Sequence, residues 1–335
     1  MQQHDSPHAV NRRTFLTRSL AAPAAIAAVT AAASRQAAAQ SPPVSSPAPH
    51  AQGQLPKGKI GDLEISRLIL GTNHITFFMH SRDLHYVNDL SRHYNTEEKI
   101  AETFAEAEAN GVNAFMTHQD AKIAKIFRQH RDRGGKLKWI VAPWSDSEGR
   151  VADPPSYRRT LPQLVDSGVD ALYVPGMITG QLVKQGKGAL IGEMLGIIKG
   201  TGLPVGVACH ELEVVQYCEK EKLPLDFYVK TFHHLKYPTA PKPDAMKTEY
   251  AEVPGYWCNN PAETAEFMKG VTKPWIAFKV MAAGAIKPRE GFQHAYANGA
   301  DFILAGMFDF QIAEDAQIAR DTLAANKNRA RPWRS

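Results

Sequence analysis

Eight short apolar runs recur along this chain, and each is followed by a stretch whose apolar residues keep helical spacing. That alternation limits the fold more than any other feature. The runs fall at 66–73, 112–118, 137–144, 171–175 and 205–210, with three more between 225 and 310. Thr96 opens a helix with Ile100, Ala101, Phe104 and Ala107 on one face, and Asn110-Gly111 closes it. Gly134-Gly135, Gly168 and Gly200 stop helices expected over 121–133, 156–167 and 188–199, and further helices are expected over 211–222 and 311–326. Eight strand–helix units in roughly 265 residues predict the α/β class and a single-domain (β/α)8 TIM barrel. A doubly wound sheet is the other arrangement of such units. It usually shows a Gly-rich first turn, and Gly71-Thr72-Asn73-His74 does not fit one.

In a barrel the chemistry lies on the loops after the strands. Two of these are long, 74–95 after the first strand and 235–259 after the sixth, and both are expected to be lids or binding loops. The second carries Tyr237, Tyr250, Tyr256 and Trp257, which could stack on a ring or pin the loop down. It ends at Asn260-Pro261-Ala262-Glu263, a helix start.

Alternation along a strand sorts side chains into two faces. In 205–210 the bulky Val205, Val207 and Cys209 should pack on helices, leaving His210 over the mouth. The same argument sends Phe227 and Val229 outward and Tyr228, Lys230, Phe232 and His234 inward. It also sends Ile276, Phe278 and Val280 outward and Ala277, Lys279 and Met281 inward. Lys230, Lys279, His210 and His234 are therefore the expected catalytic group. Two close, buried ammonium groups depress each other's pKa, and a neutral amine can form a Schiff base with a carbonyl. The lysines could equally stay charged and bind an anion, or pair with Asp309, Asp120 or Glu211. Asn73, His118, Gly284, Gly306 and Trp257 are the expected substrate-binding residues.

No cofactor is expected for Schiff-base chemistry. The alternative is a divalent metal held by His118, His210, Glu211 and His234, in a lyase or isomerase acting on oxidised sugars. Thirteen histidines, among them His74, His80, His85 and His93 of the first loop, lean that way, although no tight ligand spacing occurs. A third reading is a non-catalytic barrel that binds a carbohydrate or a partner. Cys209, Cys218 and Cys258 are too few and too scattered for a zinc motif or a disulfide framework, which leaves room for one pair involving Cys258.

The N-terminal region is organised differently. Asn11-Arg12-Arg13-Thr14-Phe15-Leu16 leads into an apolar, Ala-rich stretch over 20–33, and Ala37-Ala38-Ala39 offers a cleavage site. It resembles a bacterial twin-arginine export signal. That resemblance implies a leader over 1–39, recognition by the twin-arginine export machinery, and a periplasmic or secreted product. A Pro/Ser/Ala-rich linker is expected over 40–58, the barrel over 59–327 and a basic tail over 328–335. The leader's apolar run is too short to predict a stable membrane span. Four leader arginines against Asp5 account for +3 of the formal +5 charge. With no Lys/Arg block elsewhere, a small-molecule substrate is expected and no nucleic-acid partner.

Three family resemblances bear on the chemistry. Asp226-Phe227-Tyr228-Val229-Lys230-Thr231 and Lys279 with Ala282-Ala283-Gly284-Ala285-Ile286 resemble the sixth and seventh strands of deoxyribose-phosphate aldolase and related class I aldolases. That resemblance implies a lyase on a sugar-derived or other hydroxy-carbonyl compound, with Lys230 as Schiff-base nucleophile and Lys279 as its helper. It departs where Phe232-His233-His234 replaces the family's small residues. Gly284 and Gly306, with Gly299-Ala300-Asp301-Phe302, are similar to the paired glycine turns of inosine monophosphate dehydrogenase-type barrels, which implies an anion near those turns. The opening over 61–72 resembles aldo-keto reductases. That family needs an Asp after strand two with a Tyr beyond it, a Lys after strand three and a His in strand four. Here those places hold Thr117-His118 with no matching Tyr, Pro143-Trp144 and Tyr173-Val174. The chain as a whole resembles exported twin-arginine barrel proteins of bacteria, a likeness that carries no activity with it.

Overall fold

The structure is a computed structural model and describes residues 54–143 and 153–335. The leader over 1–39, most of the linker and Trp144 lie outside the described residues.

Eight parallel strands close into a barrel in chain order: β3 (Leu68–Gly71), β4 (Ala114–His118), β5 (Lys138–Ala142), β6 (Ala171–Val174), β7 (Val205–Cys209), β8 (Phe227–Thr231), β9 (Trp275–Phe278) and β10 (Phe302–Gly306). β10 pairs with β3 in register Ile303↔Leu68, which closes the ring and leaves no sheet edge. The helices are α1 (Tyr86–Tyr94), α2 (Glu97–Ala109), α3 (Ala121–Asp132), α4 (Pro154–Asp166), α5 (Gly176–Lys184), α6 (Ala189–Lys199), α7 (Leu212–Lys220), α8 (Pro261–Gly270), α9 (Pro288–Ala297) and α10 (Asp309–Ala325). The helix starts follow side-chain chemistry: Thr96 caps α2 by accepting from the Lys99 N–H, and Asp120 caps α3 by accepting from the Ile123 N–H. Among the described residues no helix is long and apolar enough to cross a membrane.

The (β/α)8 reading is thus the observed fold, with three elements added. An antiparallel hairpin, β1 (Lys57–Ile60) and β2 (Leu63–Ser66), starts within the segment expected to be linker. Its Ile60 and Ile65 join the barrel's inner apolar cluster at the amino-terminal end of the strands. Helix α1 lies in the first long loop and α5 follows β6. Neither presents a plain buried stripe: α1 leaves Tyr86, Leu90 and Tyr94 exposed, and α5 holds two glycines.

The same end of the barrel holds the chain's C-terminus. The basic segment 328–335 is packed there rather than trailing. Fully buried Asp301 pairs with Arg329 at 2.8 Å and Arg331 at 2.6 Å, and Arg67 lies 4.2 Å from the Trp333 ring. This is the end a barrel uses for stability. All three cysteines are free and buried.

The two faces of the strands are resolved by what they touch. Ile69, Met116, Ile140, Ala171, Ala208, Phe227, Val229, Ile276 and Phe302 form the inner cluster. Leu70, Phe115, Trp139, Val207, Cys209, Tyr228, Phe232 and Ala277 pack among the helices. The expectation for β7 agrees with this arrangement. For β8 it is reversed: Phe227 and Val229 point in, while Tyr228 points out and its hydroxyl donates to Glu219 at 2.7 Å. The reason is that a parallel barrel strand is apolar on both faces, so bulk alone does not say which face is the core. In β9, Ile276 and Phe278 likewise turn inward.

Candidate active site

At the carboxyl ends of the strands a cavity of about 690 Å³ opens between the two long loops, within the usual size for a small-molecule site. Lys279, His210, His118, Asn73, Trp257, Gly284 and Gly306 line it. Lys230, His234 and Glu211 do not.

Lys230 follows the parity of Tyr228 into the wall. It is fully buried, and its Nζ donates to the Thr231 carbonyl at 2.9 Å. The expectation that it is the nucleophile facing the mouth is corrected by that position. His234 lies outside the mouth, with Nε2 3.2 Å from Glu290 and its ring edge-on to His294. The chain has already left the sheet at Thr231, so strand parity no longer governs it. Glu211 sits beneath α5 and pairs with Lys184 at 3.6 Å. The proposed metal set is therefore split between the cavity and two other places, and among the described residues no three His, Cys, Asp or Glu side chains converge to hold a metal. Asp309 and Asp120, suggested as lysine partners, are engaged elsewhere, with Lys99 and with the α3 N-terminus.

Lys279 reaches the cavity by a route that strand alternation does not describe. β9 ends at Phe278, and Lys279 takes the left-handed conformation with φ +57°. Ala282 (φ +45°), Ala283 (φ +54°) and Gly284 (φ +80°) continue the turn. A left-handed non-glycine residue costs about 1–2 kcal/mol, so this turn is held by its surroundings. Its ammonium lies 5.2 Å from the centre of the Trp257 ring. Burial pushes its pKa down to about 7, with Glu252 opposing the fall.

The residues around that amine are the ones sequence reasoning missed. Lys279 Nζ bonds to Nε2 of His80, and Nδ1 of His80 lies 2.8 Å from Glu252 Oε2. A carboxylate only accepts, so Nδ1 carries the proton and Nε2 offers its lone pair to Lys279. Burial lowers the His80 pKa, the bond to Glu252 works against that, and the Lys279 charge adds to it. Burial works to raise the Glu252 pKa, but the His80 bond and charge, the Arg82 N–H and the Lys279 charge together hold the carboxyl below its ordinary value. His80 comes from the first long loop and Glu252 from the second, and the only prior signal was a histidine count. Glu252 also accepts the Arg82 N–H at 3.2 Å, and Arg82 donates to Thr239 at 2.9 Å.

A second imidazole lies on the cavity wall. His210 stacks obliquely on Tyr250 at 4.3 Å, and its Nδ1 is buried without a hydrogen bond. Burial, then the charge of Lys279, keep it unprotonated. His74 also lines the cavity, and burial takes its pKa down to about 4. In the second loop most aromatics act as pins: Tyr237 donates to the Gly255 carbonyl at 2.8 Å, and Tyr256 bonds to Thr248. His233 accepts from the Trp257 and Cys258 N–H groups and fixes the loop's end.

No protein-family model and no curated protein sequence matches the chain. Among solved structures, two of an assigned aldo-keto reductase from Pseudomonas aeruginosa are similar at 17% identity, with TM-scores of 0.54 and 0.53. They cover 80% of this chain and 94% and 95% of those chains. A truncated 3-deoxy-D-arabino-heptulosonate 7-phosphate synthase from Thermotoga maritima matches at 11% identity and TM-score 0.49, over 81% of this chain and 93% of that one. Thr117, His118 and Tyr173 occupy the cavity wall near the strand ends where the reductase resemblance asked for Asp and His. At these identities the likeness is one of fold: the chain is a (β/α)8 barrel built like those of the reductase structures.

Proposed function

We propose that this protein is a Schiff-base enzyme of the lyase kind, with Lys279 as the amine that attacks a substrate carbonyl. The observation that carries this reading is the Glu252–His80–Lys279 chain, in which a lysine of pKa about 7 opens onto a cavity beside an oriented imidazole. At neutral pH about half of such a lysine is the free amine, against about 0.03% of one at 10.5, a gain of roughly a thousandfold in nucleophile.

The neutral Nζ forms a bond to the carbonyl carbon as the carbon–oxygen π pair moves to oxygen. His80 Nε2 takes the surplus proton from nitrogen, and Glu252 stabilises the imidazolium. The former carbonyl oxygen takes back the proton held by His80 and a second from solvent, leaves as water and yields the iminium. That cation draws electrons from the adjacent carbon, so a bond there can break or form, and His210, which lines the cavity, accepts or returns the proton in this reading.

Borohydride trapping with a panel of aldehydes, read by intact mass and peptide mapping, tests the assignment. The expected adduct maps to Lys279, survives in Lys230→Met and is lost in Lys279→Met. An adduct on Lys230, or none with any carbonyl, refutes it. The leader reading belongs with this proposal: an exported, periplasmic or secreted enzyme. Its support is the Arg12-Arg13 segment, and retention of an Arg12→Lys, Arg13→Lys form in the cytoplasm is the expected result.

A further inference from the structure

The walls of the cavity say more about its ligand than the reacting end does. We infer that the substrate is a carbonyl compound with an extended apolar body, aliphatic or aromatic, rather than a polyhydroxylated or phosphorylated sugar. The inference rests on the Schiff-base reading only for the carbonyl.

Three observations carry it. First, four of the polar side chains that line the cavity are bonded into its wall. Thr72 donates to the Met116 carbonyl at 2.8 Å and Thr117 to the His118 carbonyl. Arg82 donates to Thr239 at 2.9 Å, and Gln311 accepts from the Phe308 N–H at 3.0 Å. Lys279, His80 and His210 form one polar end, and Asn73, Ser81, His118 and Asp315 add single polar groups elsewhere on the lining. A hydroxyl buried against the apolar part of this wall would lose its water without replacement.

Second, the apolar lining continues out to solvent. Phe78, Leu84 and Met177 line the cavity and are nonetheless 54%, 50% and 56% exposed. Large apolar side chains gathered at a mouth leave favourable burial for a ligand to supply. An entry used by a hydrated sugar gains nothing from such a rim.

Third, the cavity lined by the turns after β9 and β10 also holds a carboxyl. Gly284 and Gly306 line the cavity together with Asp315 of α10, which is buried at 4% exposure. Burial, with Glu314 adding to it, raises Asp315 to about 6, so at neutral pH it is mostly an anion. An anion in the same cavity opposes the binding of a phosphate there. Lys287 also lines the cavity and is exposed, so its charge is met by water.

The test is a homologous series. Butanal, hexanal, octanal and glyceraldehyde 3-phosphate are compared by the concentration that half-saturates borohydride trapping in the mature protein. Burial of each methylene predicts a fall of about fourfold per carbon along the alkanals, and octanal is expected to outcompete the sugar phosphate. In a Phe78→Ser, Met177→Ser variant the step per carbon shrinks. Binding of 1-octanol, which has no carbonyl, is read separately as a saturable change in tryptophan fluorescence absent from Trp257→Phe. Saturable octanol binding without any adduct supports the apolar class and defeats the Schiff base. A flat alkanal series, or preferential trapping of glyceraldehyde 3-phosphate, overturns the apolar class and leaves the Schiff base in place. Neither an adduct nor octanol binding overturns both.

Discussion

A lysine held near pH 7 should weaken the fold that holds it, and Lys279→Met measures by how much. In the unfolded chain this group titrates at its ordinary 10.5, and in the folded protein at about 7. At 1.36 kcal/mol per pH unit the gap corresponds to an upper bound of about 5 kcal/mol. The sign follows from the protons. Below pH 7 both states hold the proton, and the folded protein bears the full cost of a buried ammonium. Between 7 and 10.5 only the unfolded chain holds it, so wild-type stability climbs with pH across this window. Above 10.5 both are neutral and the cost is gone. Methionine keeps the length and apolar stem of lysine but loses the bond to His80, worth about 1 kcal/mol. The variant should therefore be more stable at pH 6 by up to about 4 kcal/mol, with the advantage shrinking by about 1.4 kcal/mol per pH unit above 7. Because Lys279 opens partly onto the cavity, screening reduces the size of the gain without altering its course with pH. Urea midpoints of both proteins at pH 6, 7.5 and 9 provide the measurement. A difference that stays constant with pH, or a wild type more stable at pH 6, would refute the reasoning.

Other expectations follow from the same geometry. Glu252→Gln leaves His80 without its anionic orienter, and trapping at pH 7.5 should slow by about ten- to a hundredfold. The acidic limb of its pH profile should also move lower, because Glu252 is the charge that holds Lys279 up. Asp301→Asn removes the anion shared by buried Arg329 and Arg331 and should cost about 3–5 kcal/mol, seen as a melting point lower by about 10 °C. Adduct formation at Lys279 should persist in that variant under native conditions, since Asp301 lies at the opposite end of the barrel. The three cysteines should react with a thiol reagent only after denaturation, because each is buried and burial raises Cys209 and Cys218 well above ordinary thiols.

The architecture was legible because each of its units is local. A run such as Val205–Cys209 followed by Leu212–Lys220 states a strand and a helix within sixteen residues, and eight repetitions leave few folds. Side-chain direction was less so. In β7 small Gly206 and Ala208 mark the inner face, whereas in β8 Phe227 and Tyr228 are both bulky and both buried, and sequence gives no way to choose. Lys230 was misplaced for that reason. Lys279 was placed at the mouth for a reason that does not hold, since its strand ends one residue earlier and a left-handed turn supplies the direction. His80 and Glu252 lie 172 residues apart on loops without periodicity, so nothing local joins them.

That separation also explains how the site is assembled. The lysine comes from the end of β9, the imidazole bonded to it from the first loop and the carboxylate bonded to that imidazole from the second. Only where both loops meet over the barrel do the three groups connect. The backbone marks the same region. Among the described non-glycine residues with positive φ, Phe77 and Arg82 belong to the first loop, and Lys279, Ala282 and Ala283 to the turn after β9, with Lys222 alone elsewhere. Each is a conformation that the chain would leave if its neighbours released it. The bonds from Arg82 and His80 to Glu252 and Thr239 supply that restraint, tying the strained first loop to the second. The contacts that hold the backbone in place are thus the contacts that set the protonation of the amine, and a change in the loop contact necessarily changes the chemistry at Lys279.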